Sequence, residues 1–109
     1  MKIADSGTQD IFDGSDTADA RRTLPLELHT KAARLLDRIS AATQPADLRI
    51  PIGNRFEKLK GDRAGQYSVR INDQYRICFA WDGEATGVEI GDYQATTISQ
   101  VDQIGEVTK

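Results

Sequence analysis

Apolar and polar side chains alternate most regularly over residues 66–71 and 75–81. Tyr67, Val69 and Ile71 take every second position of the first stretch, and Tyr75, Ile77 and Phe79 do so in the second. Both stretches are rich in β-branched and aromatic residues, as half-buried strands are. Asn72-Asp73 between them is turn chemistry, so the pattern predicts an antiparallel hairpin. A period of two also puts Arg70 and Arg76 on one face, away from the apolar rows. Earlier in the chain the period changes. Leu28, Ala32, Leu35, Leu36 and Ile39 recur at three- and four-residue spacing, which predicts a helix starting after Pro25 and ending near Ala42, before Pro45.

The remaining segments carry weaker patterns. Residues 1–4 read as a short first strand, 8–12 as a brief helical turn before Gly14, and 16–23 as a polar stretch that is either helix or loop. Pro45, Pro51 and Gly53 make 46–53 a linker. Residues 55–59 read as a strand, 61–65 as a glycine turn, and 87–93 as a final strand reached through Asp82-Gly83-Glu84. Together these elements predict an α+β fold, with N-terminal helices packed on one twisted, mainly antiparallel sheet.

Composition narrows the function classes. With 109 residues the chain suits one domain over 1–109. Its one cysteine, Cys78, sits in a strand pattern and reads as a small buried hydrophobe in a reducing compartment. No leader-like or membrane-length apolar run occurs, so the expectation is a cytoplasmic protein. One histidine and one cysteine give no metal-ligand spacing, and no GxxxxGK[ST] motif is present for nucleotide hydrolysis. The formal charge of −3 argues against general nucleic-acid binding, but the charge is partitioned. Asp5, Asp10, Asp13, Asp16 and Asp19 crowd the N-terminal segment and Asp82, Glu84, Glu89 and Asp92 the last hairpin, while cations dominate from Arg21 to Arg76.

That basic middle contains the candidate chemistry. Two strand-borne guanidiniums on one face, Arg70 and Arg76, suit a phosphate backbone, and Lys60 stands just before a glycine turn. Each has an ordinary alternative: Lys60 as an exposed turn lysine, Arg63 paired with Asp62, and the two arginines in cross-strand ion pairs with Glu89 or Asp92. Asp92 reads equally as a strand-end charge and Tyr93 as a core aromatic, and His29 reads as structural or surface.

Residues 54–79, above all Leu59-Lys60-Gly61-Asp62-Arg63 and Arg70-Ile71-Asn72-Asp73-Gln74-Tyr75-Arg76-Ile77-Cys78-Phe79, followed by Val88-Glu89-Ile90-Gly91-Asp92-Tyr93, closely resemble the HigB-type "killer protein" toxins of the RelE/ParE superfamily. The resemblance implies a RelE-like fold and a toxin that cuts messenger RNA on the ribosome. It implies neutralisation by a HigA-like helix-turn-helix antitoxin, and contact with operator DNA only through that antitoxin. It further implies cleavage without metal or other cofactor, by attack of the ribose 2′-hydroxyl on the adjacent phosphate, which calls for cations and proton-moving groups. Carried onto this chain, the catalytic set is Lys60, Arg70, Arg76, Asp92, Tyr93 and Gln94, with Arg55, Lys58 and Arg63 binding RNA.

One position departs from the family pattern. Such toxins usually carry Asp-Tyr-His where this chain has Asp92-Tyr93-Gln94, and an amide hydrogen-bonds but does not exchange protons near neutral pH. Three explanations stand: a weak toxin, proton transfer by Tyr93 with Lys60, or a disarmed protein. Two other functions remain in play, a noncatalytic module that binds ribosome or antitoxin and a ParE-like gyrase inhibitor. Residues 95–109 run past where such toxins usually stop, as a C-terminal extension. Ile98, Val101, Ile104 and Val107 there suit a short helical stripe.

Overall fold

The computed structural model describes residues 1–92, and the expectations for Tyr93, Gln94 and the 95–109 extension lie outside them. Three helices, α1 (Ser6–Asp13), α2 (Ala18–Thr23) and α3 (His29–Ala41), precede four strands, β1 (Glu57–Lys58), β2 (Gln66–Arg70), β3 (Tyr75–Trp81) and β4 (Ala85–Asp92). The strands form one antiparallel sheet in the order β1-β2-β3-β4. Helices lie against one face of the sheet, as an α+β fold requires, because Val69, Ile71, Ile77, Phe79, Val88 and Ile90 share a single buried core with Ile11, Leu24, Leu36 and Ile39.

The acidic N-terminal segment proves to be capping chemistry. Asp5 accepts from the Thr8 N–H and hydroxyl to start α1, and Thr17 accepts from the Ala20 N–H to start α2. Thr17 in turn donates to Asp10 at 2.7 Å, which fixes the α1–α2 corner. The two helices cross so closely that a Cβ on Gly7 would lie 1.9 Å from Thr23 Oγ1 and 2.8 Å from the Asp19 carbonyl oxygen. Residues 16–23, open between helix and loop in the sequence, therefore contain α2. Thr8, fully buried, also accepts from the Ile90 N–H at 3.2 Å and ties α1 to β4.

Two segments differ from expectation. Residues 1–4 do pair with the sheet, but as a parallel bridge of Ile3 with Val88, carried by Lys2, Ala4, Ala85 and Val88. Residues 55–59 are a strand only at Glu57–Lys58, because the chain first makes single-turn helices at Pro45–Arg49 and Ile52–Asn54. Arg55 ends the second of these in a left-handed conformation, φ 49°. The buried Asn54 amide holds that corner by donating to the Leu48 carbonyl at 3.2 Å. Among the described residues no helix is long and apolar enough to cross a membrane.

Candidate functional site

The face of the sheet turned away from the helices carries the arginines. β2 and β3 are registered so that Arg70 stands directly opposite Arg76, Ser68 opposite Cys78, and Gln66 opposite Ala80. Like charges opposite one another repel, so a pair held this way needs compensation. Each arginine has a carboxylate: Arg70 pairs with Asp73 of the hairpin turn, and Arg76 with Glu57 of β1 at 3.5 Å. These are not the partners that sequence offered. Glu89 goes to Arg63 at 3.3 Å, and Asp92 accepts from the Gln74 amide at 2.8 Å.

Arg76 is the more firmly held of the two. Its Nε donates to the fully buried Ser68 hydroxyl at 2.8 Å, and its Nη2 donates to the Arg55 carbonyl at 2.6 Å. With its side chain only 17% exposed, burial lowers its pKa from the ordinary arginine value, opposed by the Glu57 charge. A guanidinium nevertheless stays charged at any physiological pH. Arg70 is 30% exposed, and the Asp73 beside it is 96% exposed. The carboxylates compensating the arginines are thus themselves largely solvated and easily exchanged for another anion.

The two guanidiniums open into a cavity of about 270 Å³ on this face, shared with Arg55, Glu57, Asp73 and Gln74. Arg55 belongs here because its carbonyl accepts from Arg76, which fixes the corner beside the arginine pair. Further along the same face Arg63 spans strands, donating to Gln66 at 3.1 Å and meeting Glu89. Lys60 is not among the described residues that line this cavity; it precedes the single turn Gly61–Arg63, past the end of β1. Lys58 is exposed and paired in register with Tyr67. Asp92 ends β4 opposite Tyr75, beside the turn that carries Asp73 and Gln74.

His29 takes a structural place, its Nε2 lying 2.8 Å from the Leu24 carbonyl oxygen. It lines a separate cavity of about 460 Å³ between α1 and α3 that none of the candidate residues enters. No group of three or more His, Cys, Asp and Glu among the described residues is placed to hold a metal ion. Sequence reasoning passed over Ser68, Glu57 and Asp73. The alternation that put Arg70 outward also put Ser68 there, and that signal was available; the identity of the carboxylate partners was not.

A site of this kind, paired guanidiniums in register on the open face of a small α+β sheet, invites comparison with known proteins. The family model for RelE-like toxins of the type II toxin–antitoxin system HigB matches residues 2–93. The chain belongs to this HigB-like toxin family. Among curated proteins it is 46% identical over 65 residues to toxin HigB-1 of Vibrio cholerae, a stretch covering 59% of this chain and 68% of the relative. It is also 38% identical over 64 residues to an uncharacterized protein of Haemophilus influenzae, covering 59% and 63%. The aligned stretch thus spans about two thirds of each relative's length. Membership places the chain among toxins of type II systems, which work opposite an antitoxin, and accords with the α+β architecture described above.

Proposed function

We propose that this protein is a ribosome-dependent messenger RNA endonuclease, silenced by a HigA-like helix-turn-helix antitoxin. The observation that carries the reading is the in-register pair of Arg70 and Arg76, whose guanidiniums open into one cavity. Two forked cations there suit the nonbridging oxygens of one phosphate and the charge that builds on it as a neighbouring 2′-hydroxyl attacks. Arg76, fixed by Ser68 and the Arg55 carbonyl, is the preorganised member, and Arg70 leaves Asp73 to join it. A phosphate displacing Asp73 and Glu57 exchanges two solvated ion pairs for two bidentate ones.

Around this centre the other candidates take graded roles. Arg55 lies within the same cavity, Asp92 accepts from the Gln74 amide that lines it, and Arg63 and Lys60 serve the strand further along the sheet. Tyr93 follows Asp92 directly, and with Gln94 it completes the set, Tyr93 as the proton-moving group and Gln94 as a hydrogen-bonding one. A second reading is favoured by Gln94 itself. With an amide where the family usually has histidine, the chain would occupy the ribosome or its antitoxin without efficient cutting.

The test adds wild-type protein, Arg70→Ala, Arg76→Lys and Gln94→His separately to translating ribosomes and maps messenger ends by primer extension, with gyrase supercoiling assayed in parallel. Cutting by the wild type that falls on the order of 100-fold in either arginine variant is the expected result. Cutting only by Gln94→His would make the present chain a disarmed toxin. Intact messenger with every variant, and inhibited supercoiling, would replace both readings with a gyrase-directed one.

A further inference from the structure

A second groove adjoins the arginine cavity and none of the roles above uses its apolar part. It measures about 520 Å³, lies along the β1 edge of the sheet, and is walled by Arg49, Ile52, Phe56 and Lys58, with Arg55 and Glu57 common to both cavities. Three features make it unusual. Ile52 is 87% exposed and its neighbour Ile50 78%, the most exposed large hydrophobic side chains among the described residues. They stand on the corner between two single-turn helices, anchored by the buried Asn54, rather than on a free loop tip. Phe56 is set firmly into the domain, stacked on Tyr67 with ring centroids 5.5 Å apart, and Tyr67 stacks on the buried Phe79 at 5.8 Å. The Arg49 guanidinium lies 5.9 Å from the Phe56 ring centroid.

An apolar step on a fixed aromatic base, rimmed by Arg49, Arg55 and Lys58, is the combination that single-stranded nucleic acid uses: flat faces for bases and cations for the intervening phosphates. A protein partner would also cover exposed isoleucines, but the groove's charge and its direct continuity with the phosphate cavity favour RNA. Among the described residues Glu57 is the one carboxylate in its wall, and it is engaged with Arg76.

We infer that this edge groove binds the messenger nucleotide next to the bond that is cut, its base packed against Ile52 and on the Arg49 guanidinium that lies over Phe56, and its phosphate held by Lys58. The strand then bends round the β1 edge at Arg55, one phosphate on the arginine pair and the next in the groove. The inference rests on the nuclease reading above, and its test separates the two.

The photoreactive residue p-benzoylphenylalanine is placed at Ile52 in one variant and at Asp73, beside Arg70, in another. Each full-length protein is added to ribosomes programmed with a messenger made uncuttable by 2′-O-methylation, irradiated, and its crosslinks identified. Crosslinking of messenger from both positions is expected. Crosslinking from Asp73 but not from Ile52, or from Ile52 only to ribosomal RNA, ribosomal protein or an antitoxin, overturns the groove and leaves the nuclease site standing. Messenger reached from neither position overturns both. In an Arg49→Gln, Lys58→Gln background the Ile52 crosslink should fall roughly tenfold while the Asp73 crosslink persists; an unchanged Ile52 crosslink would also count against the groove.

Discussion

At the scale of single residues, the site is governed by what holds each guanidinium. Ser68 touches no substrate in the reading above, yet it is fully buried and accepts from Arg76 Nε, so it sets the direction in which Arg76 points. Ser68→Ala should leave that N–H without its partner, lower messenger cutting about tenfold and cost about 1–3 kcal/mol of stability, while Ser68→Thr, which keeps the hydroxyl, should restore cutting. Equal loss in both variants would assign Ser68 to packing alone. Asp73 works the other way, as an intramolecular competitor for the phosphate. Asp73→Asn releases Arg70, and RNA affinity measured against salt should rise with a log–log slope steeper by about one. An unaltered slope would mean that Arg70 meets no phosphate.

At the scale of elements, the sequence was most legible where period and chemistry agreed. β2 and β3 follow from strict alternation and the Asn72 turn, whose side chain accepts from the Gln74 and Tyr75 N–H groups, and so the shared face of Arg70 and Arg76 followed as well. α3 followed from its apolar stripe. The expected strand at 55–59 shrank to two residues because Pro51 and Gly53 introduce a single-turn helix that ends only at the left-handed Arg55. The ion pairs were illegible for a different reason: Glu57 reaches Arg76 across β2, a contact set by sheet order and not by local spacing. The close crossing of α1 and α2 was equally hidden, since Gly7 reads as a weak helix residue until Thr23 is seen against it. Gly7→Ala therefore should not gain the usual helix-propensity benefit. It should destabilise the fold by about 1–3 kcal/mol in urea unfolding, because the obstruction includes the Asp19 backbone oxygen. A stabilised variant would show that the helices separate freely.

At the scale of the whole molecule, acidic residues of the N-terminal segment are engaged in caps and ion pairs among the helices, which is how a chain with net charge −3 still presents a cationic sheet face. Several carboxylates are held below their ordinary pKa of 3.8 in the folded protein. Asp16 is held there by its hydrogen bond from Arg21, Asp19 by that from Ser6 and the Arg22 charge, and Asp47 by the Thr43 backbone N–H. A group whose folded pKa is lowered binds its proton more readily when unfolded. Its contribution is therefore fully present above the unfolded value and is lost as pH falls through the folded one. Stability should then be flat from pH 7 to about 5 and decline below about pH 4, where the protonated carboxylates also leave the cations of the sheet face unbalanced. Urea midpoints across that range provide the measurement, with Asp47→Asn as the control. Asp47 closes the turn at Pro45–Arg49 through Thr43 and Gln44, far in sequence from the arginine pair. Its replacement should reduce the midpoint at pH 7 and shrink the drop between pH 7 and 3. A drop as large as in the wild type would place the acid sensitivity in the other carboxylates or in repulsion among the cations, and not in this turn.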